Sequence, residues 1–298
     1  MTPKIPATRV DPLPAMLIEP IVRAALAEDL GRAGDITSDA LISAGGRSRG
    51  RIVARESGRI AGIGAVEATY GILDPRARVH VEAGDGCDVE PGDLIAEVVG
   101  ETRTILAGER VALNFLGQLS GVATATVRLA KLCEGTKARV TCTRKTVPGL
   151  RALQKYAVRC GGGTNHRFGL DDAILIKDNH IASVGGVKAA VQRARHNAGH
   201  MVKIELEVDS LAQLEEALAL GVDTILLDNM KPDRLREAVK IAAGRAVLEA
   251  SGNVTEKTIA AIAATGVDLI SSGAITHSAK CLDIALDLAP ASDAPSST

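Results

Sequence analysis

Aromatic residues are scarce in this chain of 298 residues, which has no tryptophan, two tyrosines and two phenylalanines. Nucleic-acid bases stack on aromatic side chains, so the chain offers few platforms for them. Its 35 basic and 36 acidic residues leave a formal net charge of −1. Binding to a phosphate backbone needs an excess of clustered lysine and arginine. We therefore expect no nucleic-acid partner.

Long hydrophobic runs are also lacking, and none approaches the roughly 18 residues of a membrane-spanning helix. The first 14 residues contain four prolines and no apolar stretch of the kind found in signal peptides. The five cysteines are an odd number without a Cys-x-x-Cys pair. This usage is typical of reduced thiols rather than of disulfides or a zinc site. These features predict a cytoplasmic protein without a membrane partner.

Lysine is missing between Lys4 and Lys131. The run at 78–100, RVHVEAGDGCDVEPGDLIAEVVG, resembles the hammerhead turns of biotinyl and lipoyl carrier modules. Because such modules carry their cofactor on an exposed lysine, the missing lysine excludes a carrier role. The Gly-x-Gly-x-x-Gly pattern of dinucleotide-binding folds is absent as well.

The first half of the chain predicts an α+β unit. An apolar pattern with helical spacing covers 16–30 and stops at Gly31. Glycine and proline turns then separate short strand-like runs between 50 and 105: RIVARESG, RIAGIGAV, RVHVEAG and LIAEVVG. One or two helices at 108–132 lead into the second half.

The second half alternates apolar strands with helical patterns. Continuous β-branched runs separated by helices indicate parallel strands joined by right-handed crossovers. Such repeats without a dinucleotide-binding turn favour an α/β barrel that is incomplete. The predicted strands are at 139–143, 173–178, 202–208, 224–229, 246–251 and 268–273.

The residues at the carboxyl ends of these strands are sorted by chemistry. Active sites of α/β barrels lie at that edge. Cations come from the early strands, carboxylates from the middle ones and Ser-Gly loops from the last two. In chain order the strands carry Thr143-Arg144-Lys145, Lys177, Glu205 and Glu207, Asp228, Ser251-Gly252-Asn253 and Ser272-Gly273-Ala274.

This arrangement predicts a ligand with several negative groups. Arginine forks grip carboxylate or phosphate, whereas lysine acts as a point charge. Backbone N–H groups in a Ser-Gly turn before a helix favour phosphate. Carboxylates opposite such loops, here Glu207 and Asp228, hold Mg²⁺ or ribose hydroxyls. Lys177 has a second interpretation, because a lysine at the end of a buried strand can form a Schiff base.

One long run resembles the signature of the quinolinate phosphoribosyltransferase family: TRKTVPGLRALQKYAVRCGGGTNHRFGLDDAILIKDNHI at 143–181. Shorter runs fall in the family's order, namely EDLGRAGDIT, GERVALNFLGQLSGVAT, LEVDS, LLDN and SGAITHS. The resemblance implies an α/β protein with an N-terminal α+β sandwich domain and an incomplete parallel α/β barrel of the type II phosphoribosyltransferase kind. It also implies a homodimer.

The resemblance further implies transfer of the phosphoribosyl group of 5-phosphoribosyl-1-diphosphate to quinolinate with Mg²⁺. The products are nicotinate mononucleotide, diphosphate and CO₂, a step of NAD biosynthesis. The implied catalytic residues are Lys145, Lys177, Glu207 and Asp228, the last two also as metal ligands. The implied substrate-binding set adds Arg110, which reaches the partner's site, and Thr143, Arg144, His166, Arg167, Ser251, Gly252, Asn253, Ser272, Gly273 and Ala274.

On this basis we divide the chain into five segments. They are a flexible arm at 1–15, the sandwich at 16–118, the barrel at 119–280, a C-terminal helix at 281–289 that returns to the first domain, and a disordered tail at 290–298. Two other functions stay open. One is a paralogue of the same fold acting on another anionic acceptor, and the other is a Schiff-base barrel lyase using Lys177.

Overall fold

A computed structural model describes residues 10–290, and most of the predicted arm and nearly all of the predicted tail lie outside them. The helices are Ala15–Leu30 (α1), Ile36–Leu41 (α2), Ile63–Leu73 (α3), Thr102–Lys131 (α4), Arg151–Cys160 (α5), Asp178–Val184 (α6), Val187–Asn197 (α7), Leu211–Ala219 (α8), Pro232–Ala242 (α9), Ile259–Ala263 (α10) and Ala274–His277 (α11). The strands are Arg47–Ala54 (β1), Gly58–Arg59 (β2), Arg78–Val81 (β3), Asp88–Val89 (β4), Leu94–Glu101 (β5), Arg139–Thr141 (β6), Ile174–Ile176 (β7), Ile204–Val208 (β8), Thr224–Asp228 (β9), Val247–Ser251 (β10), Leu269–Ser271 (β11) and Ile284–Pro290 (β12).

The chain forms two compact units. The first combines the chain up to Ala125 with Val147–Gly162 and the segment from Ala279 onward, and the second holds Thr126–Thr146 and Gly163–Ser278. Both units differ from the ranges of the sequence-based division, because α5 belongs to the first unit. No helix among residues 10–290 is long and apolar enough to cross a membrane.

The first unit is built on an antiparallel sheet with the strand order β12-β1-β5-β3, beside a β2-β4 pair. Its core joins apolar side chains of the sheet to those of α3 and α4. Within it Ile52 and Ile95 from the sheet, Tyr70 from α3 and Leu116 from α4 are fully buried. This arrangement is the α+β unit that the sequence predicts.

Two local predictions for this unit are wrong. The run RIAGIGAV contributes only Arg59 to a strand, and α3 begins at Ile63. The carboxylate of Asp85 accepts hydrogen bonds from the N–H groups of Gly62 and Ile63 at 2.8 and 3.0 Å. The first backbone N–H groups of α3 thus have hydrogen-bond acceptors, although the residue at the N-cap position provides no side-chain cap.

The predicted C-terminal helix at 281–289 is a strand, β12, paired antiparallel with β1. Its apolar residues Ile284 and Leu286 are two positions apart and pack on the core of the first unit. On the opposite face, Asp287 pairs with Arg55 at 2.7 Å. Apolar residues that recur every two positions lie on one face of a strand, whereas on a helix they would not share a face.

The second unit is a six-stranded parallel sheet with the order β6-β11-β10-β9-β8-β7. All of the strands predicted for the second half are present, and helices connect most of them. Near the β6 end, Thr164 forms an isolated parallel bridge with Thr141. The incomplete parallel α/β barrel is confirmed. Because the strands are parallel, their carboxyl ends share one edge, here called the carboxyl edge.

Candidate active site

The carboxyl edge of the second unit carries five of the predicted residues. Lys177 follows β7, Glu207 lies near the end of β8, and Asp228 ends β9. Ser251 ends β10, and Ser272 directly follows β11. Cations, carboxylates and small loop residues therefore meet at one edge, as their positions after the strands predict.

Lys177 and Glu207 form an ion pair between the neighbouring strands β7 and β8. The Glu207 side chain is mostly buried, whereas that of Lys177 is 44% exposed. The Lys177 amine is therefore in contact with a carboxylate at this edge, an arrangement that suits a contact with an anionic ligand.

Arg144 and Arg167 each carry a buried Nε atom that has no hydrogen-bond partner among the described residues. Burial and the nearby charge of Arg144 lower the pKa of the Arg167 guanidinium. One of the other Arg167 nitrogens, Nη1, donates to the carbonyl of Ala173 at 3.0 Å. Partly buried guanidinium groups with unused donors are stabilised when an anion accepts those donors.

Lys145 lies against the Ser272-Gly273 loop. Its carbonyl accepts a hydrogen bond from the buried hydroxyl of Thr276 at 2.7 Å, and its N–H donates to Thr143 Oγ1 at 2.9 Å. A Cβ added to Gly273 would lie 3.0 Å from Lys145 Cδ. The side chain therefore packs closely along this loop, and a side chain at Gly273 would require it to shift by a few tenths of an ångström.

Asp228 is oriented by a chain of two asparagines. Asn229 Nδ2 donates to Asp228 Oδ2 at 2.8 Å, and Asn253 Nδ2 donates to Asn229 Oδ1 at 3.4 Å. Asn229 and Asn253 have φ of 53° and 51°, a conformation that only asparagine, aspartate and glycine adopt readily. A Cβ on Gly252 would overlap Asn229 Oδ1.

The amino-acid sequence matches the profiles of a known protein family. The profile of the quinolinate phosphoribosyl transferase N-terminal domain matches residues 35–120, and that of the C-terminal domain matches residues 122–287. The chain belongs to the quinolinate phosphoribosyltransferase family.

Named relatives of the family cover nearly the whole chain. The chain is 44% identical over 262 residues to the probable nicotinate-nucleotide pyrophosphorylase (carboxylating) of Bacillus subtilis. The match covers 88% of this chain and 90% of that protein. It is 44% identical over 274 residues to the nicotinate-nucleotide pyrophosphorylase (carboxylating) of Mycobacterium leprae. That match covers 90% of this chain and 95% of the relative. The resemblance seen in the sequence is confirmed.

A solved structure of the family has the same fold. The crystal structure of NadC from Streptococcus pyogenes matches with a TM-score of 0.91 and 41% identity. The match covers 94% of this chain and 99% of that one. The two-part α/β architecture expected from the resemblance is therefore confirmed.

Arg110, the remaining residue of the family set, lies on the part of α4 in the first unit. Its side chain is 65% exposed and lies 3.6 Å from the carboxylate of Glu109. It lines a cleft of about 750 Å³ together with α1 residues and the chain around Cys281. An exposed arginine beside a large cleft is available to a second molecule.

One of the two predicted phosphate loops differs from its prediction. Gly252 and Asn253 have left-handed backbones, so the chain cannot continue into a right-handed helix, and α10 begins only at Ile259. The Thr258 hydroxyl donates to the carbonyl of Asn253 at 3.1 Å and accepts from the N–H of Thr255, which closes the loop. The Ser251 loop therefore does not directly precede a helix, whereas Ser272-Gly273 precedes α11 as expected.

His166 faces carboxylates in the interior of the unit. Its Nε2 lies 2.8 Å from Glu205 Oε2 and 3.8 Å from Glu249 Oε1. Sequence reasoning placed Glu205 beside Glu207 among the strand-end carboxylates, and it missed Glu249 and Thr276. The signal for Glu249 was present, because AVLEAS places one acidic residue inside an apolar strand.

Proposed function

We propose that this chain transfers the phosphoribosyl group of 5-phosphoribosyl-1-diphosphate to quinolinate with decarboxylation, giving nicotinate mononucleotide, diphosphate and CO₂. The reaction is a step of NAD biosynthesis. The observation that carries the proposal is that Arg144 and Arg167 each hold a buried Nε without a hydrogen-bond partner among the described residues, with the charge of Arg144 acting on Arg167. Guanidinium donors bind carboxylates, and quinolinate carries two of them.

Positioning and charge neutralisation supply most of the catalysis. Arg144 and Arg167 bind the dicarboxylate, and Lys145 and Lys177 face the phosphate groups of the ribosyl donor. The loops at Ser251-Gly252-Asn253 and Ser272-Gly273-Ala274 supply hydroxyl and backbone N–H donors to its 5-phosphate. Thr143 holds the backbone of Lys145 in place.

The bond changes follow from these charges. The bond from ribose C1 to the diphosphate oxygen breaks, and the diphosphate leaves with the electron pair. The pyridine nitrogen of quinolinate then forms a bond to C1, whose developing positive charge is stabilised by Glu207 and Asp228. The quaternised ring nitrogen stabilises the electron pair left by departing CO₂, and a proton replaces the lost carboxyl group.

Mg²⁺ is part of the proposal. Carboxylate oxygens are ligands that Mg²⁺ prefers, and substrate phosphates complete its shell, so few protein ligands are needed. The register pairs Glu207 with Leu226, two residues before Asp228, so the two carboxylates are offset along the sheet rather than directly opposed. Glu207 and Asp228 are the residues that would hold the ion, and it would supply positive charge to the leaving diphosphate.

We also propose that the enzyme works as a homodimer in the cytoplasm. The exposure of Arg110 beside its cleft supports a role in the partner's site. The alternative of another anionic acceptor on the same fold is distinguished by assay, because nicotinate and other carboxylated rings can be offered in place of quinolinate.

The test is release of CO₂ from carboxyl-labelled quinolinate, with and without 5-phosphoribosyl-1-diphosphate and with and without Mg²⁺. Release that requires all three components supports the proposal and the order of ribosylation before decarboxylation. An absence of release in every condition would overturn it in favour of another acceptor.

A further inference from the structure

Beneath the carboxyl edge lies a cluster of three ionisable side chains, here called the buried triad: His166, Glu205 and Glu249. Glu205 is two residues before Glu207 on β8, and Glu249 is two residues before Ser251 on β10. Alternate residues of a strand point to the same face. The two glutamates therefore lie one layer below the predicted substrate contacts, and they are 8% and 2% exposed.

The hydrogen bonds of His166 define its protonation. Its Nδ1 accepts a hydrogen bond from the N–H of Arg167 at 2.7 Å, so Nδ1 carries no proton. The ring proton is therefore on Nε2, which lies 2.8 Å from Glu205 Oε2. Both ring nitrogens are used inside the protein, one by the backbone of Arg167 and the other by a buried carboxylate.

Glu249 completes the triad as a buried carboxyl group. Its Oε1 is buried, lies 3.8 Å from His166 Nε2 and has no hydrogen-bond partner among the described residues. Burial, together with the charge of Glu205, raises the pKa of Glu249 to about 7. The other charged groups that line the same cavity of about 300 Å³ are Arg139, Arg167 and Lys203.

The same three residues have the composition of a divalent-cation site, since their ligand atoms all lie within 4.8 Å of one another. A cation on Nε2 would require the ring proton on Nδ1. The N–H of Arg167 already donates to Nδ1, so this tautomer would place two donors face to face. The geometry favours a hydrogen-bond network over a bound metal.

We propose that Glu205 and Glu249 are positioning residues that hold the imidazole of His166 as its neutral Nε2–H tautomer and thereby fix the backbone of Arg167. Arg167 is a proposed carboxylate contact, so the triad sets the affinity for the dicarboxylate from one layer below. The two glutamates approach the imidazole from two different strands, β8 and β10. The kinetic part of this inference rests on the proposed function, whereas the tautomer does not.

The first experiment reads the tautomer directly in the full-length protein. Histidine labelled with ¹⁵N gives nitrogen shifts that distinguish the two neutral tautomers from the imidazolium, and His166→Gln assigns the signal by its loss. We expect the Nε2–H form at neutral pH. The Nδ1–H form or the imidazolium overturns the proposal, and so does a shift or broadening of the His166 signals when Zn²⁺ or Mg²⁺ is added alone.

The second experiment separates KM from kcat. Glu205→Gln weakens a charged acceptor, and we expect KM for quinolinate to rise by about 10-fold or more while kcat changes by no more than a few-fold. A change in kcat with KM unaffected contradicts the positioning role. Glu215→Gln, an exposed glutamate on α8, serves as the matched control and should change neither constant.

The third experiment uses pH. Ionisation of Glu249 above about pH 7 places a second negative charge beside Glu205, so KM for quinolinate should rise with pH in the native protein. Glu249→Gln retains a neutral side chain of the same shape, and its KM should not show this rise. An identical pH profile of KM in both proteins overturns the role of Glu249. If no quinolinate turnover is found, the tautomer measurement still decides the structural part.

Discussion

Lys177 and Glu207 form an ion pair that joins the ends of β7 and β8, two neighbouring strands of the parallel sheet. The pair places a cation and a carboxylate of the proposed site in direct contact. Each charge therefore has a partner before a substrate arrives, while the remaining ammonium donors and the second carboxylate oxygen stay available to a ligand. This relationship governs the first prediction.

Removing one member of the pair leaves the other without its partner. We expect Lys177→Ala and Glu207→Ala each to lower kcat/KM by about 10- to 100-fold, and the double variant to lose less than the product of the two losses. Steady-state kinetics of the four proteins measure the coupling. Losses that multiply would show that the two residues act independently. Borohydride with substrate should trap no adduct on Lys177, whereas trapping would support the lyase.

The shape of Arg144 matters as well as its charge. Arg144→Lys keeps a cation but loses the planar fork that binds a carboxylate through two parallel bonds. We expect KM for quinolinate to rise by about 10-fold in Arg144→Lys and by more in Arg144→Ala. Arg193→Ala, on the exposed surface of α7, is the control and should match the native enzyme. Equal KM values for the native and lysine enzymes would contradict a two-pronged contact.

Gly252 is required for the orientation of Asp228. In Gly252→Ala the new Cβ overlaps Asn229 Oδ1, so the amide that donates to Asp228 must move. We expect kcat/KM to fall by roughly 10-fold or more, the scale of a lost charge-assisted hydrogen bond. Gly244→Ala is the matched control, because φ at Gly244 is also positive but no atom lies within 4 Å of its Cβ.

Both glycine variants should lose stability from backbone strain, by about 1 kcal/mol. Only Gly252→Ala should lose activity. An equal loss of activity in the two proteins would show that strain alone, and not the contact with Asn229, accounts for the effect.

Glu249 makes stability depend on pH. Burial and Glu205 raise the pKa of Glu249 to about 7 in the folded protein, so the folded state binds this proton more tightly than the unfolded state does. The stabilisation is fully present below the unfolded value of about 4.3. It is lost as the pH rises through about 7.

We therefore expect the free energy of unfolding to fall with rising pH between about 5 and 7, by at most about 1.4 kcal/mol per pH unit from this group. Urea unfolding at several pH values measures the slope. Glu249→Gln should flatten it, and Glu215→Gln should retain it. A slope unchanged in Glu249→Gln would show that this carboxyl is ionised at neutral pH.

The local hydrophobic pattern of the sequence was enough to predict much of the fold and of the candidate site. The β-branched runs of the second half predicted the parallel strands, and residues that follow buried strands, such as Lys177 and Asp228, predicted the carboxyl edge. The motif at 143–181 was specific enough to indicate the family. These features depend on periodicity and on position along one strand, which a sequence displays directly.

Other features depend on contacts between distant segments, and these only the tertiary structure decided. Ile284–Pro290 form a strand because β1 offers them an edge, and Asp85 lies 22 residues beyond the helix start at Ile63 that it stabilises. The orientation of His166 toward Glu205 and Glu249 follows from the sheet order, which places three separate segments around one cavity. A sequence shows which side chains face inward, whereas the partners they meet are determined by how the strands pack.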